Sequence, residues 1–238
     1  MPVPAYLSYY VIGGCVGIVA AVLIGMNAAL VRAAWPRAER TAAVRNAAIV
    51  LIAWFALACV LAWLGAYRGV AERTPTIQFG LLVPILIGAW LIWRSPAVSR
   101  LIDAVPQSWL IGVQLYRALG AIFLVLYADN RIPGLFALPA GIGDVTTGLL
   151  APVVALAYVG NPRGQARSVL AWNAFGIADL VVAVGAGLLT SPSPLQRFAF
   201  DAPNELITAF PLVLVPTFLV PISIVLHIAS LTKLRRGP

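Results

Sequence analysis

The sequence predicts an all-α polytopic membrane protein: one transmembrane domain over residues 1–238, built as a bundle of seven spans. Three observations predict it. The chain is 61% hydrophobic and only 10% charged, where soluble domains carry about 25% charged residues. Apolar runs of roughly 20 residues recur along its length, and that length crosses a hydrocarbon core of about 30 Å. No connection between the runs is long enough to hold a soluble domain.

The first span is expected at about 6–31. Its apolar run is too long for a signal-peptide core and lacks a basic leader, so it reads as a retained helix. Gly13, Gly14 and Gly17 include a GxxxG spacing that lets a second helix approach. A basic connection follows, with Arg32, Arg37, Glu39, Arg40 and Arg45. Span two is expected at 46–65 and span three at 76–93, with Pro84 inside it. A connection holding Arg94, Arg100 and Asp103 leads to span four at 107–127. Span five, at 134–158, contains Pro139 and Pro152, and span six lies at 168–189. The longest connection, 190–204, carries Pro, Ser, Phe198 and Phe200. Span seven is expected at 205–231, with Pro211, Pro216 and Pro221 at steps of five; interrupted helices of this kind often line transporter sites. Glu205 reads as an acid capping its start.

Orientation follows from the sixteen basic residues, all arginine except Lys233. Connections after spans one, three, five and seven hold eleven of them, and the opposite side holds four. The positive-inside rule then puts the N-terminus outside and the C-terminus in the cytoplasm. Trp90, Trp93, Trp109 and Trp172 fall at inner ends, and Tyr9, Tyr10, Tyr67 and Tyr127 at outer ends, as in aromatic belts. Short loops and an arginine-rich inside suggest a bacterial inner membrane. Spans one and five share clustered glycines, but no residue-level repeat relates the two halves.

Composition also excludes several classes. The net charge of +8 lies in short loops rather than on one soluble face, which argues against nucleic acid. Cys15 and Cys59 sit inside apolar runs and read as buried small hydrophobes. A single histidine excludes a multi-histidine metal site or bis-histidine haem within one chain, and no cofactor is expected. Gly141-Ile142-Gly143-Asp144 lacks the strand and spacing of a nucleotide loop. Lys233, beyond the last span, excludes a retinal-type Schiff base. His227, about four residues from the inner end of span seven, reads as an interfacial histidine, too shallow and too far from an acid for a serine hydrolase.

Only three ionisable residues fall near the middle of spans: Arg117, Asp144 and Asp179. Such groups cost roughly 2.5–3.5 kcal/mol each when they face lipid, and they usually face the bundle interior or a wet cavity. All three lie about ten residues into their spans, at similar depth. Ala137, Ala140, Gly141, Asp144, Thr147, Gly148 and Ala151 form a small-residue stripe on span five. Gly176, Asp179, Ala183 and Gly187 do so on span six, and Gln114, Arg117, Ala118 and Ala121 on span four. These faces are expected to meet, with Gln114, Thr147 and Asn173 supplying hydrogen bonds. One guanidinium against two carboxylates leaves a net negative layer unless a proton or cation joins it.

The expected function is a small transporter or proton- or ion-coupled permease, with the bilayer and a small solute or proton as its partners. Arg117 would hold an anionic group or set the field, and Asp144 and Asp179 would exchange. The alternative is a non-transporting membrane protein, either a lipid-modifying enzyme or a partner-binding subunit, in which the layer is structural. A polar cluster at mid-depth favours transport over an enzyme, whose cluster would lie near one leaflet.

Overall fold

A computed structural model describes residues 3–237, and they fold as an all-helical bundle. Seven rods are long and apolar enough to cross a membrane. They are α1 (Ala5–Arg32), α2 (Arg37–Trp63), α3 (Ile77–Arg94), a composite fourth rod, α7 (Gly134–Gly160), α8 (Ala166–Thr190) and a composite seventh rod. A short helix, α4 (Pro96–Ala104), joins α3 to the fourth rod.

Outward faces are apolar. α2 buries only Ala58 and Ala62, while Ile49, Val50, Ile52, Leu57 and Val60 are more than half exposed. A contiguous apolar surface of this extent is foreign to a monomer in water, and it fits hydrocarbon. The chain is thus read as a multi-pass membrane protein. Inside, Trp54 and Phe55 of α2 pack on Phe218 of the seventh rod, with ring centroids 4.7 and 5.0 Å apart.

Two connections differ from expectation. The basic stretch after α1 is mostly helix. The break spans 33–36, and Arg37, Glu39, Arg40 and Arg45 belong to α2. Pro36 stands just ahead of the helix, and Glu39 in the first turn suits the dipole. The stretch before span four is α4, with Pro96 in its first turn; the Ser95 hydroxyl accepts from Val98 N–H at 3.4 Å.

The seventh rod departs most. No helix starts at Glu205, whose side chain is exposed and caps nothing. A 3-10 turn (Leu206–Thr208) and a non-helical passage through a cis Phe210–Pro211 bond come first. A π-helix (Val215–Leu219) and then α9 (Val220–Arg236) complete the rod. Pro211, Pro216 and Pro221 each stand at or next to the start of a new segment. A residue without an N–H is tolerated in a first turn and breaks a helix anywhere deeper. The rod therefore begins about ten residues later than expected, and it also ends about five residues later, at Arg236, which together put His227 near its middle rather than at its inner end.

Of the residues assigned to aromatic belts, Trp90, Trp93, Tyr9 and Tyr127 are exposed. Trp172 and Tyr67 are buried, and Tyr10 turns inward to donate to Leu119 O at 2.7 Å. Each has a partner or packing surface inside the bundle that outweighs an interfacial position.

Candidate functional site

The fourth rod decides the geometry. It runs as α5 (Gln107–Gly112), an eight-residue 3-10 helix (Val113–Gly120) and α6 (Ala121–Ala128). Such 3-10 runs seldom exceed four residues, and in one residues i and i+3 eclipse. Gln114, Arg117 and Gly120 accordingly share one buried face. The α-helical face expected for this rod, with Ala118 and Ala121 beside Arg117, is displaced: both alanines are only partly buried.

Glycines let the backbones close on this face. A Cβ on Gly148 would stand 2.5 Å from Ala118 N, so α7 lies directly against the 3-10 backbone. A Cβ on Gly143 would stand 1.6 Å from Asp179 Oδ1. The expected stripe on α7 is buried throughout, from Ala137 through Gly148 to Ala151, except that Asp144 is slightly exposed.

The three mid-depth groups meet. Arg117 Nε donates to Asp144 Oδ1 at 2.8 Å, and Nη2 lies 2.8 Å from the same oxygen. Nη2 also donates to Asp179 Oδ2. Nη1 donates to Gly176 O at 3.1 Å and to His227 Nε2 at 3.3 Å. All three nitrogens are engaged by the protein, and the guanidinium side chain is 1% exposed. The expected contact of Arg117 with an anion therefore has no donor left to make it. The carboxylates differ. Asp179 is 6% exposed at its side chain and Asp144 13%, and only Asp144 lines cavities.

His227 is the residue that sequence reasoning misplaced. It is fully buried beside Arg117. A guanidinium only donates, so Nε2 accepts and the ring hydrogen belongs on Nδ1, where Asn173 Oδ1 accepts it at 2.9 Å. Asn173 Nδ2 then donates to Val169 O at 2.8 Å and Ser230 Oγ at 3.0 Å. Gln107 Nε2 donates to that hydroxyl at 2.7 Å. Trp172 packs beside the imidazole at a tilt of 50°, 5.0 Å between centroids. The signal was present: Ser223, His227 and Ser230 recur at four- and three-residue steps and share one face of α9.

The other expected hydrogen-bonding residues stand apart from the ion pairs. Asn173 reaches them only through His227. Gln114 Nε2 donates to Ser223 O at 3.0 Å, and its Oε1 is buried without a partner. Thr147 Oγ1 is likewise buried and unpartnered, while Trp172 Nε1 donates to the Thr147 carbonyl at 3.1 Å. Tyr116 bridges Leu219 O, at 2.9 Å, and Ser223 Oγ. It serves the irregular backbone where the π-helix meets α9.

Replacing His227 with alanine would leave an Arg117 donor and Asn173 Oδ1 unsatisfied. Each buried orphan costs about 1–3 kcal/mol. The expected result is a lowered unfolding midpoint in detergent, partly restored by His227→Gln, whose amide can both donate and accept.

Two cavities meet at Asp144. One of about 100 Å³ extends from it past Phe136, Leu180 and Ala183 to the connections at Gly69, Pro75 and Ser193. The other, of about 40 Å³, takes in Tyr10, Tyr116, Arg117 and Ser223. Phe123, Leu180, Val215 and Val220 line both beside Asp144.

A family model described as a domain of unknown function (DUF8737) matches residues 74–235. The match takes in every member of the polar layer and leaves out α1 and α2. No curated protein and no solved structure matches the chain.

Proposed function

The chain belongs to the DUF8737 family, and from the site lying within the matched region we propose that it is a small proton- or cation-coupled permease, with Asp144 as the exchanging carboxylate. One observation carries this reading: Asp144 is both a member of the ion-paired layer and part of the wall of two adjoining cavities. A carboxylate shared by two cavities can take a proton or cation from one and pass it to the other once the apolar side chains they share move. Arg117 acts here as the fixed counter-charge, not as a ligand, and Asp179 holds it in place. The mid-depth position of the layer supports transport over an enzyme. The excess of basic residues on the face where α1 and α9 end supports a cytoplasmic C-terminus in a bacterial-type inner membrane.

The competing reading is a membrane protein whose layer only fastens the rods. The full engagement of Arg117 favours it. Reconstitution separates the two. Vesicles holding the protein should dissipate an imposed pH gradient faster than empty vesicles. Asp144→Asn, folded to the same unfolding midpoint within a few degrees, should abolish the difference. Equal proton flux in the variant, or none above empty vesicles in the unaltered protein, would leave only the structural reading.

A further inference from the structure

The larger cavity joins a carboxylate to apolar walls. Among its lining residues only Asp144 and Tyr67 carry ionisable side chains. Gln78, Ser191, Ser193 and Thr208 line it without charge. The layer at its floor holds one guanidinium and two carboxylates, so a single positive charge at Asp144 would balance it. An anion would meet the Asp144 carboxylate and find no nitrogen of Arg117 unengaged. A bare metal ion of the hard class needs six or more oxygens, and here one carboxylate stands amid carbon. What remains is an organic cation with an apolar tail.

Size narrows the class. A cavity of roughly 150 Å³ holds a benzene molecule, so about 100 Å³ admits about four heavy atoms on that scale. We propose that this cavity binds a small monoalkylammonium ion, its ammonium against Asp144 and its chain along Phe136, Leu180 and Ala183. The proposal names the cargo of the permease and rests on that reading for transport, though not for binding. Cation and proton occupy the same carboxylate and so exclude one another.

Calorimetry on the full chain in nanodiscs tests it, with n-propylammonium as probe, n-propanol and acetate as neutral and anionic analogues of equal heavy-atom count, and empty nanodiscs as the blank. Saturable binding of n-propylammonium is expected, with both analogues at least tenfold weaker. Asp144→Asn should weaken the cation at least tenfold. Ala183→Leu, which fills the wall and keeps the carboxylate, should weaken it similarly. Propanol binding as tightly as the cation overturns the proposal, as does undiminished cation binding in a folded Asp144→Asn protein. Should that variant fail to fold, Ala183→Leu and the two analogues still decide. Binding without proton flux in vesicles removes the permease reading alone, and flux without binding removes the alkylammonium alone.

Discussion

Arg117→Ala is expected to cost about 3–5 kcal/mol, the usual penalty for removing one partner of a buried ion pair. The unfolding midpoint in detergent should collapse, and little folded protein should reach the membrane. The loss has two parts. Asp144 and Asp179 would be left facing each other without counter-charge, and Gly176 O and His227 Nε2 would lose their shared donor. Removing the charges together should recover much of the loss, because an apolar or neutral replacement of a whole buried group is often close to neutral. Arg117→Met combined with Asp144→Asn and Asp179→Asn is therefore expected to be more stable than Arg117→Ala alone. Arg117→Lys should not substitute. One ammonium cannot span partners on α7, α8 and α9 as a planar fork does. A midpoint for Arg117→Ala within a degree or two of the parent would mean the layer is not held by mutual pairing.

The second large effect is expected from a single methyl group. In Gly148→Ala the new carbon would stand 2.5 Å from Ala118 N and 3.1 Å from Leu115 O. Both are backbone atoms, so no side chain can rotate away. α7 must retreat from the 3-10 segment, and Asp144, four residues earlier on α7, retreats with it. Overpacking of this kind costs about 1–3 kcal/mol, and the weakened Arg117–Asp144 contact adds to that. Gly160→Ala is the control, since nothing lies within 4 Å of its added carbon. It should be neutral or slightly stabilising. Equal midpoints for the two variants would show that the close approach of α7 to the fourth rod is not a constraint.

The sequence and the tertiary structure divided the information along physical lines. Apolar runs of membrane length depend on local composition alone, so seven rods could be read directly, most of them within a few residues of their ends. The cost of an ionised group in hydrocarbon is likewise a property of one residue and its depth. That is why Arg117, Asp144 and Asp179 could be picked out from the sequence, with the small-residue faces of the fifth and sixth rods beside the two acids. The misses at the site involved a backbone that stops being α-helical. The seventh rod starts later, among its prolines, and runs on to Arg236, and that shift carries His227 from a supposed interface to the centre of the polar layer. A 3-10 run in the fourth rod rotates the buried face from Ala118 and Ala121 to Gln114, Arg117 and Gly120.

What the sequence by itself determined is thus the number of rods and the residues that must find partners away from lipid. Only the tertiary structure decided which partners they found. It saturated Arg117, fixed the hydrogen of His227 through Asn173, and left Asp144 as the carboxylate open to space. Hydrogen bonds at 3 Å depend on the rotation and rise of each rod to within a fraction of a turn. Those depend in turn on departures from α-helical geometry that packing between rods imposes and local sequence only permits.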